Sequence, residues 1–350
     1  MHSLIKGIRD RTIIAEKEII DREYRETMKS KLIFLAKCIL AALPFLVVIV
    51  FTFAYPMAYM DNEYPARKYT REVITGKTDY ETLILGDSRA MADLMPEYLG
   101  DGCVNLATGG ATSVENYYYL QDYLKHHQAP ETCLILFAPF HYSYMDNFRT
   151  RTVYFNDLSI AQMAEVRKNA HAVGAQAVTE EVDTTDLIAN RLRLPNVYLP
   201  ALLNARFTGR YDDNSKILSN LRESRGYAPF GTAEGSDELN YETSYESLRE
   251  SGDSQLIGIY MRKLIELCEQ NGIRVIVLQA PMNKASFDTL QEGFVKGYAL
   301  YMQSLSDLYP DITVEREIPC YENALFGDSS HLNETGALQY TEEIAQKYMN

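Results

Sequence analysis

The sequence lacks an excess of basic residues: 34 Lys and Arg stand against 48 Asp and Glu, which gives a formal net charge of −14. Nucleic-acid binding depends on clustered Lys and Arg, so this deficit argues against DNA or RNA as a main partner. Cysteine is also scarce, with five residues in 350, which excludes a disulfide-knot fold. A hydrophobic fraction of 46% and a charged fraction of 23% exclude a wholly disordered or collagen-like chain.

The few cysteines and histidines show no spacing that is typical of a metal site. His126 and His127 are adjacent in the sequence but have no third ligand at a useful distance. We therefore expect neither a metal nor another cofactor. Cys103 and Cys133 either form a disulfide outside the cell or remain buried free thiols.

One long apolar segment predicts a membrane anchor. Residues 38–58 carry no charge, and Lys37 is the only charged residue in 32–59. A helix of about 20 apolar residues spans the hydrocarbon core of a bilayer. We therefore predict a transmembrane helix at residues 32–59 that contacts the lipid bilayer and is kinked at Pro44.

The charges that flank this segment predict its orientation. The leader, residues 1–31, contains eight Lys or Arg and six acids, whereas residues 61–72 contain three Lys or Arg. The positive-inside rule then places the leader in the cytoplasm and residues 60–350 outside the cell. The apolar run is longer than that of a cleaved signal peptide, so we expect an uncleaved, single-pass cell-membrane protein whose leader helix continues into the span.

The remaining residues, 60–350, alternate strand-like and helical patterns, which is typical of α/β architecture. Five short apolar runs predict a parallel sheet, at residues 82–85, 103–106, 133–138, 274–279 and 312–314. Helical patterns cover residues 90–99, 113–126, 254–270, 287–308 and 334–347. Residues 150–250 contain no convincing strand, and we interpret them as a helical insertion that serves acceptor binding or is only a structural cap.

A serine follows the first predicted strand, within the run Gly86-Asp87-Ser88-Arg89. A serine on a strand-to-helix turn is exposed at the carboxyl edge of a sheet. The free backbone N–H groups at the start of the helix favour a developing oxyanion. Alternatively, Asp87 or Ser88 only caps the helix.

Two further segments lie where partners for this serine are expected. Asp328 precedes His331 by three residues, just before the last helix, and a histidine oriented by a carboxylate is the usual base for a serine. Gly109 and Gly110 follow the second strand after Asn105, and glycines allow backbone N–H groups to approach a ligand closely. Each segment also has a purely structural reading, as a turn with a helix cap.

Together, Gly-Asp-Ser after strand one, Asn-x4-Gly after strand two and Asp-x-x-His before the last helix resemble the SGNH/GDSL hydrolase superfamily. The resemblance implies a flavodoxin-like three-layer sandwich with about five parallel strands. It implies that Ser88 is the nucleophile, His331 the base and Asp328 its partner. It further implies that the N–H groups of Ser88 and Gly110 form the oxyanion hole.

The sequence departs from the family pattern at two places. Arg89 stands where the first block usually has Leu, and the third block, Gly-x-Asn-Asp, is replaced by Ala138-Pro139-Phe140-His141. An oxyanion donor is thereby lost, which can cost on the order of a hundredfold in rate. His141, Tyr142 and Ser143 are the candidate replacements. Asp87, Arg89 and His141 are candidate substrate contacts.

The anchor, the insertion and these departures resemble membrane-anchored SGNH-like proteins of the DltD-like and alginate O-acetylation-like subgroup. This resemblance implies transfer of an acetyl or D-alanyl group to a cell-surface polysaccharide or teichoic-acid-like acceptor, beside a membrane-bound O-acyltransferase. Two alternatives remain open. One is an esterase that removes acyl groups from surface glycans or lipids, and the other is a non-catalytic partner of the acyltransferase.

Overall fold

The computed structural model describes residues 2–349, apart from 146, 207, 208 and 249; for residues 2–20 it describes the helical backbone without the side chains. The chain divides into two compact units, Met1–Pro56 and Met57–Asn350.

The first unit is one helix, α1 (His2–Ala54). The predicted leader helix does continue into the apolar segment, and the helix runs through Pro44 without interruption. Its part Asp21–Ala54 is long and apolar enough to cross a membrane, and none of its most apolar stretch is buried. The described residues contain one such helix.

The second unit contains the predicted five-stranded parallel sheet. Its strands are β1 (Thr82–Gly86), β2 (Cys103–Asn105), β3 (Thr132–Phe137), β4 (Arg274–Gln279) and, after the two-residue strand β5 (Met282–Asn283), β6 (Thr313–Val314). The strand order is β2-β1-β3-β4-β6, and all four pairings are parallel. Every residue of β1 and β3 is buried, which explains why these strands read as continuous apolar runs. β5 forms a separate parallel pair with β7 (Cys320–Tyr321), which the sequence analysis does not predict.

Helices precede the first strand, follow the last one and occupy connections between the others. They are α2 (Tyr64–Ile74), α3 (Ser88–Asp93), α4 (Ser113–Tyr123), α5 (Ile160–Val173), α6 (Gln176–Thr179), α7 (Thr184–Arg191), α8 (Pro195–Asn204), α9 (Tyr211–Glu223), α10 (Gly252–Gln270), α11 (Lys284–Phe287), α12 (Glu292–Leu308) and α13 (Glu334–Tyr348). The described part of 150–250 contains the helices α5 to α9 and no strand, as predicted, but the stretch between α9 and the 3₁₀ turn Tyr241–Ser244 is irregular. A π-helix, Phe148–Val153, opens this insertion.

Two helix predictions are wrong in their boundaries. The segment predicted as a helix at 90–99 is α3 followed by a 3₁₀ turn, Pro96–Tyr98; proline disfavours the helical conformation at the preceding residue, which ends α3 early. The segment predicted at 287–308 divides into α11, which ends at Phe287, and α12, which begins at Glu292.

The disulfide alternative for Cys103 and Cys133 is wrong, because both are buried free thiols. Cys103 lies on β2 and Cys133 on β3, with β1 between them. Two strand spacings amount to roughly 9–10 Å, which exceeds the distance that a disulfide can bridge.

Candidate active site

Ser88 lies where β1 turns into α3. Gly86 is required at this turn, because a Cβ atom there would lie 1.9 Å from the carbonyl oxygen of Leu136 and 2.5 Å from Cβ of Ala90. Asp87 then caps α3 by accepting a hydrogen bond from the Arg89 N–H at 2.9 Å. Ser88 is the first helical residue, so its N–H has no partner within the helix. The turn thereby leaves both the hydroxyl and the N–H of Ser88 available to a ligand.

The structure brings Ser88, His331 and Asp328 together across more than 240 positions of the chain. His331 Nε2 lies 2.9 Å from Ser88 Oγ, and His331 Nδ1 lies 2.9 Å from Asp328 Oδ2. Because a carboxylate can only accept, Nδ1 carries the proton and Nε2 can accept one from the serine hydroxyl. This is the hydrogen-bonded order that a serine nucleophile requires.

The loop that carries Asp328 and His331 is tightly organised. The N–H of Gly327 donates to the His331 carbonyl at 2.9 Å, and Asp328 accepts the N–H groups of Ser330 and His331 at 2.7 and 2.8 Å. Burial alone raises the pKa of Asp328, but these bonds and the interaction with the His331 ring outweigh it and lower the pKa to about 2. Asp328 is therefore a carboxylate at neutral pH. Phe230, from the insertion, stacks on the His331 ring with a centroid distance of 4.7 Å.

A cavity of about 280 Å³ joins these groups. Its walls come from the turn after β1, the loop after β2, the turn after β3, the insertion and the last loop; the lining includes Ser88, Gly109, Gly110, His141, Phe230 and His331. All three of the loops that follow β1, β2 and β3 therefore reach it, because the carboxyl ends of parallel strands meet at one edge of a sheet.

Gly110 is held beside the cavity by its neighbours. Its φ of +70° is a left-handed conformation that favours glycine, and an added Cβ would lie 2.7 Å from Cδ of Arg151. Arg67 donates to the Gly109 carbonyl at 2.8 Å. The Gly110 N–H donates to no backbone acceptor among the described residues. Asn105 does not line the cavity; its buried side chain donates to the Ala90 carbonyl at 2.7 Å.

A second Asp–His pair lies at the same cavity. Asp87 is fully buried, accepts the Ala138 N–H at 2.8 Å, and accepts a hydrogen bond from His141 Nδ1. Burial raises the pKa of Asp87, but the electrostatic interaction and the hydrogen bond with His141, together with the Ala138 N–H, outweigh it and lower the pKa. His141 Nε2 is buried and has no partner among the described residues. The buried Asp87 carboxyl thus reaches the cavity only through His141.

Two further buried acids lie near Asp87. Arg89 forms an ion pair with Glu242 at 2.6 Å, and both side chains are buried. Burial raises the pKa of Asp93 well above its usual value, which favours its neutral acid. The Asp87 carboxylate is held by the hydrogen bonds that it accepts from the Ala138 N–H and His141 Nδ1, since a buried unpaired charge is costly.

Of the three candidates for the missing third-block donor, the structure places only His141 at the cavity. Tyr142 and Ser143 are buried and line a different cavity of about 470 Å³. The reason is the 3₁₀ turn Pro139–Tyr142, which directs consecutive side chains in different directions.

Sequence reasoning missed the partners that come from distant segments. Glu242 pairs with Arg89, Phe230 covers His331, and Arg67 supports the glycine loop. No motif surrounds these residues, and their polar or aromatic character alone is no signal. Among the residues that the structure describes, no group of three or more His, Cys, Asp or Glu could hold a metal ion.

No protein-family model matches the chain, and no curated protein is significantly similar to it.

Proposed function

We propose that this protein is a membrane-anchored serine acyltransferase of the SGNH/GDSL type, with Ser88, His331 and Asp328 as its catalytic triad. The observation that carries the proposal is the 2.9 Å contact between His331 Nε2 and Ser88 Oγ, with Asp328 on the other ring nitrogen. The strand order β2-β1-β3-β4-β6 matches the order in flavodoxin-like folds, and it supports the proposed flavodoxin-like three-layer sandwich.

The proposed reaction has two halves. Ser88 Oγ attacks the carbonyl carbon of an acyl donor while His331 Nε2 takes the hydroxyl proton, and the leaving group receives that proton as the tetrahedral intermediate collapses. A hydroxyl of the acceptor then attacks the acyl-serine and gives its proton to His331. Collapse of the second intermediate returns the proton to Ser88 and leaves the acyl group as an ester on the acceptor.

Three donors serve the oxyanion in this proposal: the N–H groups of Ser88 and Gly110, and Nε2–H of His141. His141 Nε2 suits this role because it is buried at the cavity and has no partner among the described residues. The departure from the third block then changes the donor without removing it.

The cavity restricts the acyl group in this scheme. A volume of about 280 Å³ lies below the usual range of drug-sized sites, and it suits an acetyl or D-alanyl group. Phe230 from the insertion covers His331, which limits the access of water and favours transfer over hydrolysis.

The anchor supplies the cellular setting of the proposal. Helix α1 would cross the cell membrane once, with its N-terminus in the cytoplasm and residues 60–350 outside. There the acceptor is a cell-surface polysaccharide or teichoic-acid-like polymer, and a membrane-bound O-acyltransferase is the partner that delivers the acyl group. The analogy with the DltD-like and alginate O-acetylation-like subgroup supports this step.

The test uses the full-length protein in detergent with a fluorophosphonate probe. Wild type should be labelled and Ser88→Ala should not, while Ser304→Ala, on the exposed face of α12, serves as the matched control. A second assay supplies p-nitrophenyl acetate with and without a glycan acceptor. Acetylated glycan in the products supports transfer, whereas free acetate alone supports the esterase alternative. Absence of labelling in a protein that circular dichroism shows to be folded would favour the non-catalytic partner.

A further inference from the structure

A further cavity, of about 430 Å³, lies within the insertion and is separate from the candidate active site. The π-helix, α5 and α7 form it, and its wall is mainly aliphatic, including Val153, Leu158, Ile160, Met163, Leu187 and Ile188. Ile160 is 74% exposed and Ile188 is 48% exposed. Cavities of this size with apolar walls are typical of sites for small apolar molecules.

Two arginines, Arg167 and Arg191, also line this cavity. Within the described part of the chain neither forms an ion pair; Arg191 donates to the Leu158 carbonyl. Partial burial lowers the pKa of Arg191, and the positive charges of Arg71 and Arg193 lower it further. The cavity therefore combines an apolar wall with two arginines that have no counter-ion among the described residues.

We propose that this cavity binds one acyl chain of an anionic phospholipid, with the phosphate of the headgroup at Arg167 and Arg191. The aliphatic wall matches the chain, and a phosphate supplies the negative charge that the two guanidinium groups lack. Helix α1 is long and apolar enough to enter a bilayer, so such lipids would be present beside the same protein. The proposal does not depend on the chemistry at Ser88, because its test measures the binding of lipid and not acyl transfer.

The test uses the full-length protein in phosphatidylcholine nanodiscs that contain phosphatidylglycerol with a diazirine at the end of one acyl chain. After irradiation, mass spectrometry of the digest should locate cross-links on α5 and α7. Arg167→Glu should reduce them at least fivefold. Lys168→Glu makes the same charge change at the next, exposed residue of α5 and should alter them less than twofold.

A second pair of variants tests the apolar wall. Ile188→Asp should reduce the cross-links on α5 and α7 at least fivefold, whereas Val295→Asp, at a comparably exposed position of α12 (42%), should not. Cross-links confined to α1 would overturn the proposal. Equal labelling by a phosphatidylcholine diazirine probe would also overturn it, because the arginines would then select no charge. Protein–protein cross-links across this face in place of lipid adducts would assign it to a second copy of the chain.

Discussion

Gly231 and Gly327 lie in direct backbone contact: a Cβ atom on Gly231 would be 2.1 Å from the carbonyl carbon of Gly327. This contact joins the insertion to the loop that carries Asp328 and His331. Phe230, the neighbour of Gly231, stacks on His331. The position of the imidazole therefore depends on two glycines that are almost a hundred residues apart.

The first prediction concerns this contact. Gly231→Ala forces the two backbones apart, so we expect a destabilisation of about 1–3 kcal/mol and a loss of acyl transfer as His331 moves. Thermal unfolding and the glycan acetylation assay measure the two effects.

Gly258→Ala is the matched control, because a Cβ there meets only Nη1 of Arg262, at 3.6 Å. Gly258 lies within α10, where alanine should stabilise the helix by about 0.5–1 kcal/mol. If Gly231→Ala and wild type had the same free energy of unfolding, the two backbones could separate without a measurable loss of stability, which would contradict this prediction.

The second prediction concerns Asp328. Asp328→Asn should lower kcat on the order of 10⁴-fold while the fold is kept, because His331 then loses the carboxylate that fixes its tautomer. Asp311→Asn, at an exposed position, should leave kcat unchanged. Steady-state kinetics with p-nitrophenyl acetate test both variants.

Asp328 also predicts a pH dependence of stability. Its pKa is lowered to about 2 in the folded protein, against about 3.9 for an unfolded aspartate. Its contribution to the free energy of unfolding is therefore fully present above the unfolded value and is lost as the pH falls through about 2. Urea unfolding of wild type and Asp328→Asn should converge at the acid end. A difference that grows on acidification would contradict this sign.

The third prediction separates the two histidines. In the proposed mechanism His331 takes the proton of Ser88, whereas His141 donates to the oxyanion. His141→Gln keeps a side-chain N–H donor and should retain more activity with p-nitrophenyl acetate than His141→Ala. His141→Ala removes the donor and should lower kcat about 10²–10³-fold, whereas His126→Gln at the surface should match wild type.

Several ionisable groups surround His141. Asp87 contacts its ring, while the buried pair of Arg89 and Glu242 and the nearby acid Asp93 complete the cluster. His331 shares the cavity with it. A kcat of His141→Ala equal to that of wild type would refute the donor role of His141.

The fourth prediction concerns the buried ion pair. Glu242→Leu alone leaves the Arg89 guanidinium buried without a counter-ion, so we expect a destabilisation of about 3–5 kcal/mol. The double variant Arg89→Leu with Glu242→Leu should recover much of this loss. A double-mutant cycle of urea unfolding measures the coupling, and additive effects would show that the pair contributes little.

The regular elements of the second unit could be predicted from local patterns. The strands β1, β3 and β4 are buried on both faces of a parallel sheet. Their sequences are therefore continuous apolar runs, which can be recognised without the structure. The short β5–β7 pair has no such pattern, because two residues carry too little periodicity to detect. The ends of the helices were predicted less well, because they depend on local turns such as the 3₁₀ turn that begins at Pro96.

The candidate site divides in the same way. Ser88, Gly110, Asp328 and His331 stand in short motifs after strands or before a helix, so their sequence positions indicate a common edge of the sheet. His141 could be named only as one of three candidates, since residues in a single turn differ in direction by small backbone rotations. Glu242 could not be named at all.

By itself, the sequence determined the apolar helix near the N-terminus, the α/β alternation and the side chains able to meet at the carboxyl edge, since each follows from local hydrophobicity or from the polarity of parallel strands. Only the tertiary structure decided that His141 rather than Tyr142 reaches the cavity, that Glu242 neutralises Arg89 and that Gly231 contacts Gly327. These are pairings between distant segments, and their energy arises from desolvation and close packing that exist only once the chain has folded.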